Sequence, residues 1–168
     1  MKTIDAINTR RSIRKYLQKP LDFEKVMNIV LAGTKAPSAG NLQDFRFIVI
    51  TDQTVIKSIA EHCTEQYWIA EAPVLIVVCA ETDRTATHYG LRGERLYATQ
   101  SAAAAIQNIL LASHDLGIGS CWVGSFDENY LSDKLGIPEK IRPQAIITLG
   151  YSDEEPTEKE FEQLERII

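Results

Sequence analysis

Cysteine is too scarce and too scattered here to staple a fold. Cys63, Cys79 and Cys121 form no C-x-x-C pair, and the three histidines, His62, His88 and His114, fall on unrelated stretches. Neither a disulfide framework nor a zinc site is indicated. Long apolar runs are missing too: Pro73 to Ala80 is the most continuous, and it is far too short to cross a bilayer. Met1-Lys2-Thr3-Ile4-Asp5 lacks the apolar stretch of a signal peptide, so a reducing cytoplasm is the expected setting. Basic residues are in deficit, 18 against 23 acidic ones, for a net charge of −5. That balance argues against nucleic acid as the main partner, since binding a phosphate backbone needs a broad basic face. No G-x-G-x-x-G or GK[ST] loop, catalytic triad, clustered carboxylate pair or internal repeat occurs.

What is present suits one globular domain over residues 1–168, with 45% hydrophobic and 24% charged residues. Residues 3–9 read as a short helix. A second helix is expected from Phe23 to about Lys35, with Asp22 as N-cap, Leu21 stapled onto Val26, and Val26, Ile29, Val30 and Gly33 at helical spacing. Phe45–Thr51 reads as a strand, Thr54–Cys63 as a helix, and Pro73–Ala80 as a central strand covered on both faces. Glu81–Gly93 reads as polar and irregular. The longest helix is expected over 94–116, ended by Gly117; its small apolar middle, Ala102–Ile106, predicts burial in the core or in a subunit interface. A short strand or extended loop over 119–123, a helix near 128–135 and a buried strand over 144–150 follow. The acidic stretch 152–168 has few apolar residues and reads as an arm able to lie on a partner.

Three loops carry polar groups that could act together. Arg10, Arg11, Arg14 and Lys15 place four basic residues, with the Ser12 hydroxyl, in six positions. Extended backbone sends residues i, i+2 and i+4 to one side, so Arg10, Ser12 and Arg14 would converge. Guanidinium forks and a hydroxyl form a receptor for a phosphate, and a solvated basic turn is the plain alternative. Ala36–Gln43 brings the side-chain amides of Asn41 and Gln43 among small residues that let a flat ligand approach the backbone, or it is simply a helix-to-strand turn. Gly117–Phe126 has three glycines in eight positions and could offer a backbone N–H at Gly124, or be a turn between packed elements. Cys121 reads as a small buried hydrophobe and Tyr67-Trp68 as packing under the next strand. Tyr89, Arg92 and Arg95 read as an exposed helix start, with a nicotinamide phosphate or a substrate acid as the alternative ligand.

Arg10-Arg11-Ser12-Ile13-Arg14-Lys15-Tyr16, then Ala36–Gln43, then Gly117–Phe126, then Ile146–Tyr151 occur in an order that resembles the FMN-dependent nitroreductase family, over Ile4 to about Pro156. The resemblance implies an α+β three-layer sandwich, a mixed and mostly antiparallel sheet with helices on both faces. It also implies an intertwined homodimer with FMN in two clefts at the interface. Arg10, Ser12 and Arg14 would then hold the phosphate and ribityl chain, with Arg11 contributing. Pro37, Ser38, Ala39 and Asn41, with Gln43 alongside, would reach the flavin ring from the opposite subunit. Val123 and Gly124 would lie by flavin N5, and Lys159 is the nearest candidate for the family's C-terminal phosphate contact. The implied activity is ping-pong hydride transfer from NADH or NADPH through the flavin to a small-molecule acceptor such as a nitro compound or quinone. No side chain need act as acid or base, because the cofactor carries the chemistry. A specialist flavin enzyme, such as a dehalogenase or a biosynthetic dehydrogenase, and a flavin-binding module without turnover are the alternatives.

Overall fold

Four strands organise the chain in the order β1-β2-β4-β3, each pair antiparallel: β1 (Phe45–Ile50), β2 (Val74–Glu81), β3 (Gly119–Val123) and β4 (Ile141–Gly150). The computed structural model describes residues 1–157 and Glu162, so Lys159 and most of the expected arm lie outside the described residues. β2 is buried from Val74 to Ala80, as a continuous apolar run in a strand covered on both faces requires. Its alternate residues enter two cores. Leu75, Val77 and Cys79 meet Ile56 and Ile59 of α3 (Gln53–His62) and Leu131 of α6 (Glu128–Leu135). Val74, Ile76, Val78 and Ala80 point the other way, into the core formed with α2 (Phe23–Thr34) and α5 (Ala98–Asp115). Helices therefore cover both faces of the sheet, the three layers the motifs led us to expect. Among the described residues, the parallel component is the isolated bridge between Ser12 and Ser120.

Local signals account for most boundaries. The Asp22 carboxylate accepts from the Glu24 N–H at 3.0 Å, Asp52 from Thr54 at 2.7 Å and Asp127 from Tyr130 at 2.9 Å, each satisfying a free donor at a helix start. Leu21 packs into the cluster that holds Val26. Gly117 and Gly136 take the left-handed conformation just beyond α5 and α6, with φ of 70° and 63°.

Two stretches differ from expectation. Residues 81–93 are not irregular: α4 spans Thr82–Arg92, broken inside by Gly90 at φ 58°, ψ −150°. Thr85 is its one buried residue, so the apolar period that marks a helix is absent from its sequence. Its hydroxyls instead bond back along the turn, Thr85 to the Thr82 carbonyl at 2.9 Å and Thr87 to that of Asp83 at 2.8 Å. A π-type turn over Gly93–Tyr97 follows, so α5 proper begins at Ala98 rather than Glu94. β4 likewise begins at Ile141, ahead of the expected Gln144, and runs through Pro143. The register shifts between Val78 and Cys79, opposite that proline, and this bulge absorbs the missing N–H.

The basic stretch is held at one corner of the sheet. After α1 (Thr3–Thr9) the chain runs extended: the Ile13 N–H donates to the Ser120 carbonyl at 3.0 Å, and Leu17 N–H to that of Tyr151 at 2.9 Å. Gly119 faces Gly150 in the β3–β4 pairing. A Cβ at Gly119 would lie 3.0 Å from the Ile13 side chain, and one at Gly150 only 2.5 Å from the Tyr16 ring. Both glycines are there for close approach. We predict that Gly150→Ala forces Tyr16 out of its seat and lowers stability by about 1–3 kcal/mol, the usual range for overpacking. Urea unfolding of the variant would check this, and an unchanged midpoint would refute the packing argument.

Candidate functional site

Ile13 and Tyr16 turn into the protein, and the residues between and before them turn out. Arg14, Ser12 and Arg10 all bear on the Cys121 thiol. Burial raises its pKa, and those three groups pull it back. Arg10 and Arg11 line one cleft with Ser120, the residue that Ser12 bridges. Among the described residues no carboxylate pairs with the guanidinium of Arg10, Arg11 or Arg14. Arg11 donates to the carbonyls of Asn8 and Arg10 at 2.7 and 2.9 Å, and Arg14 lies 6.0 Å from the Trp68 ring centre. A cleft of about 390 Å³ is lined here by Thr9, Arg10, Arg11, His114, Ser120 and Glu154 among others. His114 bonds Thr9 Oγ1 at 2.7 Å. Burial, then the charges of Arg10 and Arg11, hold its imidazole below the usual pKa, favouring the neutral ring.

Glu154 was not anticipated from the sequence. One of its carboxylate oxygens accepts from the backbone N–H groups of Arg14 and Lys15 at 2.5 and 3.2 Å. These two amides are therefore already satisfied, and Glu154 sets a carboxylate in the lining of the same cleft. The guanidinium groups, which have no acidic partner among the described residues, fit a phosphate-bearing cofactor.

The Pro37–Gln43 loop is a tight turn rather than a plain connection. Gly40, Asn41 and Gln43 all have positive φ, at 55°, 55° and 51°. For the two amide residues this is a sparsely populated conformation. The Gln43 N–H donates to Ser38 Oγ at 2.9 Å, and the Gln43 and Asn41 side-chain amides meet at 3.4 Å. Pro37, Ser38 and Ala39 line a second cleft, of about 420 Å³, with Tyr89, Tyr97 and Gln100.

Val123 is buried in the core beneath β3, so its side chain is a packing residue and only its backbone is available to a ligand. Gly124 follows it, exposed, beside the half-exposed Trp122. Cys121 is buried, as expected, but Tyr67 is exposed instead of packed; only Trp68 leans on the core. Between Arg14 and Gly124 lies a segment that sequence reasoning passed over. Glu65 has φ 52°, and Gln66 Nε2 donates to the Ser125 carbonyl at 3.4 Å. The turn-forming polar run after α3 gives no hint of that strain.

The chain does not bring its two sets of candidates together. Phe45, just after the Pro37–Gln43 loop, pairs with Ala80, and Ala80 with Arg142 at the start of β4. Ser12 bridges Ser120, beside Gly119, which pairs with Gly150 at the end of β4. From Arg142 to Gly150 the strand covers roughly 26 Å at about 3.3 Å per residue, and β1 and β3 are opposite edges of the sheet.

With this geometry the comparisons are decisive. The profile of the Nitroreductase family matches residues 7–71 and 63–151. The chain belongs to the nitroreductase family. A protein of Archaeoglobus fulgidus, provisionally named NADH dehydrogenase/NAD(P)H nitroreductase, is 38% identical over 153 residues, covering 89% of this chain and 84% of that one. The FMN reductase [NAD(P)H] of Bacillus subtilis is 27% identical, covering 93% of this chain and 68% of its own length. Among solved structures, an FMN-dependent nitroreductase from Clostridium difficile R20291 superposes with a TM-score of 0.81 at 29% identity, covering 94% of this chain and 91% of that one. No helix among the described residues is long and apolar enough to cross a membrane.

Asp44, at the end of the Pro37–Gln43 loop, is fully buried, and neither carboxylate oxygen has a hydrogen-bond partner among the described residues. Burial raises its pKa, against weaker opposition from its own backbone N–H, Ser101, Arg84 and Arg46. A raised folded-state pKa means that the native protein holds this proton where the unfolded chain has lost it. The stability contribution is therefore present below the ordinary carboxyl range and declines as pH rises through the folded value. We expect Asp44→Asn to be more stable than the parent at pH 7 and to lose that advantage towards pH 3. Parallel stability–pH curves for the two proteins in urea unfolding would contradict a buried neutral acid.

Proposed function

We propose that this chain is a single FMN-binding domain that works as a homodimeric NAD(P)H oxidoreductase of nitroreductase type. The observation that carries the reading is the cluster of Arg10, Ser12 and Arg14, fixed beside β3 without acidic partners among the described residues, in a chain of the nitroreductase family. The names of the relatives, an FMN reductase and an FMN-dependent nitroreductase, support FMN as the group and NADH or NADPH as its reductant.

Arg10 and Arg14 hold the phosphate through charge-assisted hydrogen bonds, and Ser12 and Arg11 complete that end. The backbone at Val123 and Gly124 faces the ring. Pro37, Ser38, Ala39, Asn41 and Gln43 reach the ring from the second subunit, which reconciles their distance from Arg10 within one chain. A row of exposed apolar residues on α2 supports such a partner: Phe23, Met27 and Leu31 recur at four-residue spacing and are 62%, 42% and 54% exposed. Lys159 is the candidate for a further phosphate contact. When bound, the flavin supplies two-electron redox chemistry, taking hydride from NADH or NADPH and delivering electrons to nitro compounds, quinones or a related acceptor. The chain's own work is to bind, to orient and to exclude water.

Two measurements test this reading. Purified protein supplied with FMN should show flavin bands that bleach under anaerobic NADH or NADPH and return with an acceptor; bands that persist would favour a binding module without turnover. Arg10→Ala combined with Arg14→Ala should weaken FMN binding about 100-fold or more, at roughly 1.5–3 kcal/mol for each charge-assisted bond. Riboflavin, which lacks the phosphate, should lose little affinity. Equal losses for FMN and riboflavin would overturn the phosphate assignment.

A further inference from the structure

The cleft beside the Pro37–Gly40 loop has chemistry that the flavin reading leaves unused. Tyr89 and Tyr97 stand on one side of it, ring centres 5.3 Å apart and nearly perpendicular. Tyr89 is 41% exposed, and its hydroxyl sits so close to Gly40 that any Cβ there would collide. The glycine thus lets the tyrosine close onto the loop. Immediately beyond Tyr89 the backbone takes the glycine-only conformation of Gly90, then passes through the π-type turn of Gly93–Tyr97. These two irregularities bring Arg92 back onto Tyr97: its Nε donates to the Tyr97 hydroxyl at 3.0 Å, and its guanidinium lies 5.5 Å from the ring centre.

Arg92 does not line the cleft itself and reaches it through Tyr97, which does. Arg84 is paired with Glu81 at 3.7 Å, and Asp83 with Lys140 at 3.6 Å. That leaves Arg92 and Arg95 against Glu94, with no ion pair to either arginine among the described residues. In a protein of net charge −5, such a cation one hydroxyl away from an aromatic-lined cleft is a selective feature.

We propose that this cleft selects planar aromatic acceptors bearing an anionic substituent, the ring lying against Tyr89 and the anion drawn to Arg92. The inference rests on the flavin reading, in which the Pro37–Asn41 loop flanks the redox group, and it names the acceptor class for that site. Aromatic rings favour offset or edge contacts with Tyr89 and Tyr97. A guanidinium already fixed by a hydrogen bond and stacked on a ring loses little freedom on taking a carboxylate. Arg92 is a specificity residue here and takes no part in electron transfer.

The test is equilibrium binding by calorimetry to the flavin-loaded, oxidised protein without any reductant, so that turnover is not the readout. 4-Nitrobenzoate is compared with 4-nitrobenzamide, which has the same ring and no charge. The parent should bind the acid more tightly than the amide. Arg92→Gln should weaken the acid roughly three- to tenfold and leave the amide unchanged, and Arg92→Lys should restore part of the preference. Tyr89→Leu should weaken both. Equal losses for acid and amide in Arg92→Gln would mean that Arg92 only props Tyr97, and would overturn the proposal. Absence of binding by either probe would also refute it. Failure of the flavin reading is separately visible, as protein that takes up no FMN.

Discussion

Two missing side chains decide where the charge of this protein can sit. Because β3 and β4 pair with Gly119 opposite Gly150, one corner of the sheet is left without Cβ atoms. Ile13 and Tyr16 occupy that space. Their burial dictates the path of the residues between them and leaves Arg14 and Lys15 exposed. The hydroxyl of Tyr16 tightens the arrangement by donating to the Ile13 carbonyl at 2.5 Å and sharing a bond with Thr148 at 2.6 Å. A basic cluster that would be a solvated turn on a free loop is held in register with the sheet.

The layers were legible wherever apolar periodicity was strong. β2 announces itself by its unbroken buried run from Val74 to Ala80, and α2 by its cap, staple and spacing. α4 was hidden because a helix buried only at Thr85 carries no such period, and β4's early start was masked by a proline that a bulge accommodates. In the site, the basic stretch and the inward turn of Ile13 could be read because they depend only on local sequence. The contribution of Glu154 could not, since it arises from contacts 139 and 140 residues away. The strained turns at Asn41, Gln43 and Glu65 were equally silent, for none of these residues is a glycine that would advertise positive φ.

Polar burial is distributed unevenly between the two ends of the sheet. Near Gly119, the backbone N–H groups of Arg10, Ile13, Arg14, Lys15 and Leu17 all have acceptors, and the arginine heads are left over. Near β1 the reverse holds: the Asp44 carboxylate is closed off from solvent with no donor among the described residues, beside a loop in a sparsely populated conformation. One end of the sheet thus carries guanidinium groups without acidic partners among the described residues, and the other a sequestered acid.

The tie between Arg14, Lys15 and Glu154 also has a temporal consequence. The basic stretch precedes every residue that fixes it: the backbone contacts come from Ser120, Tyr151 and Asp153, and the carboxylate from Glu154. Contacts of such long sequence separation form late, because the loop they close must be ordered before they stabilise anything. A growing chain emerging in order therefore exposes its arginines long before it can aim them. Order at the arginines therefore reports that the chain has passed residue 154 and that the sheet has closed.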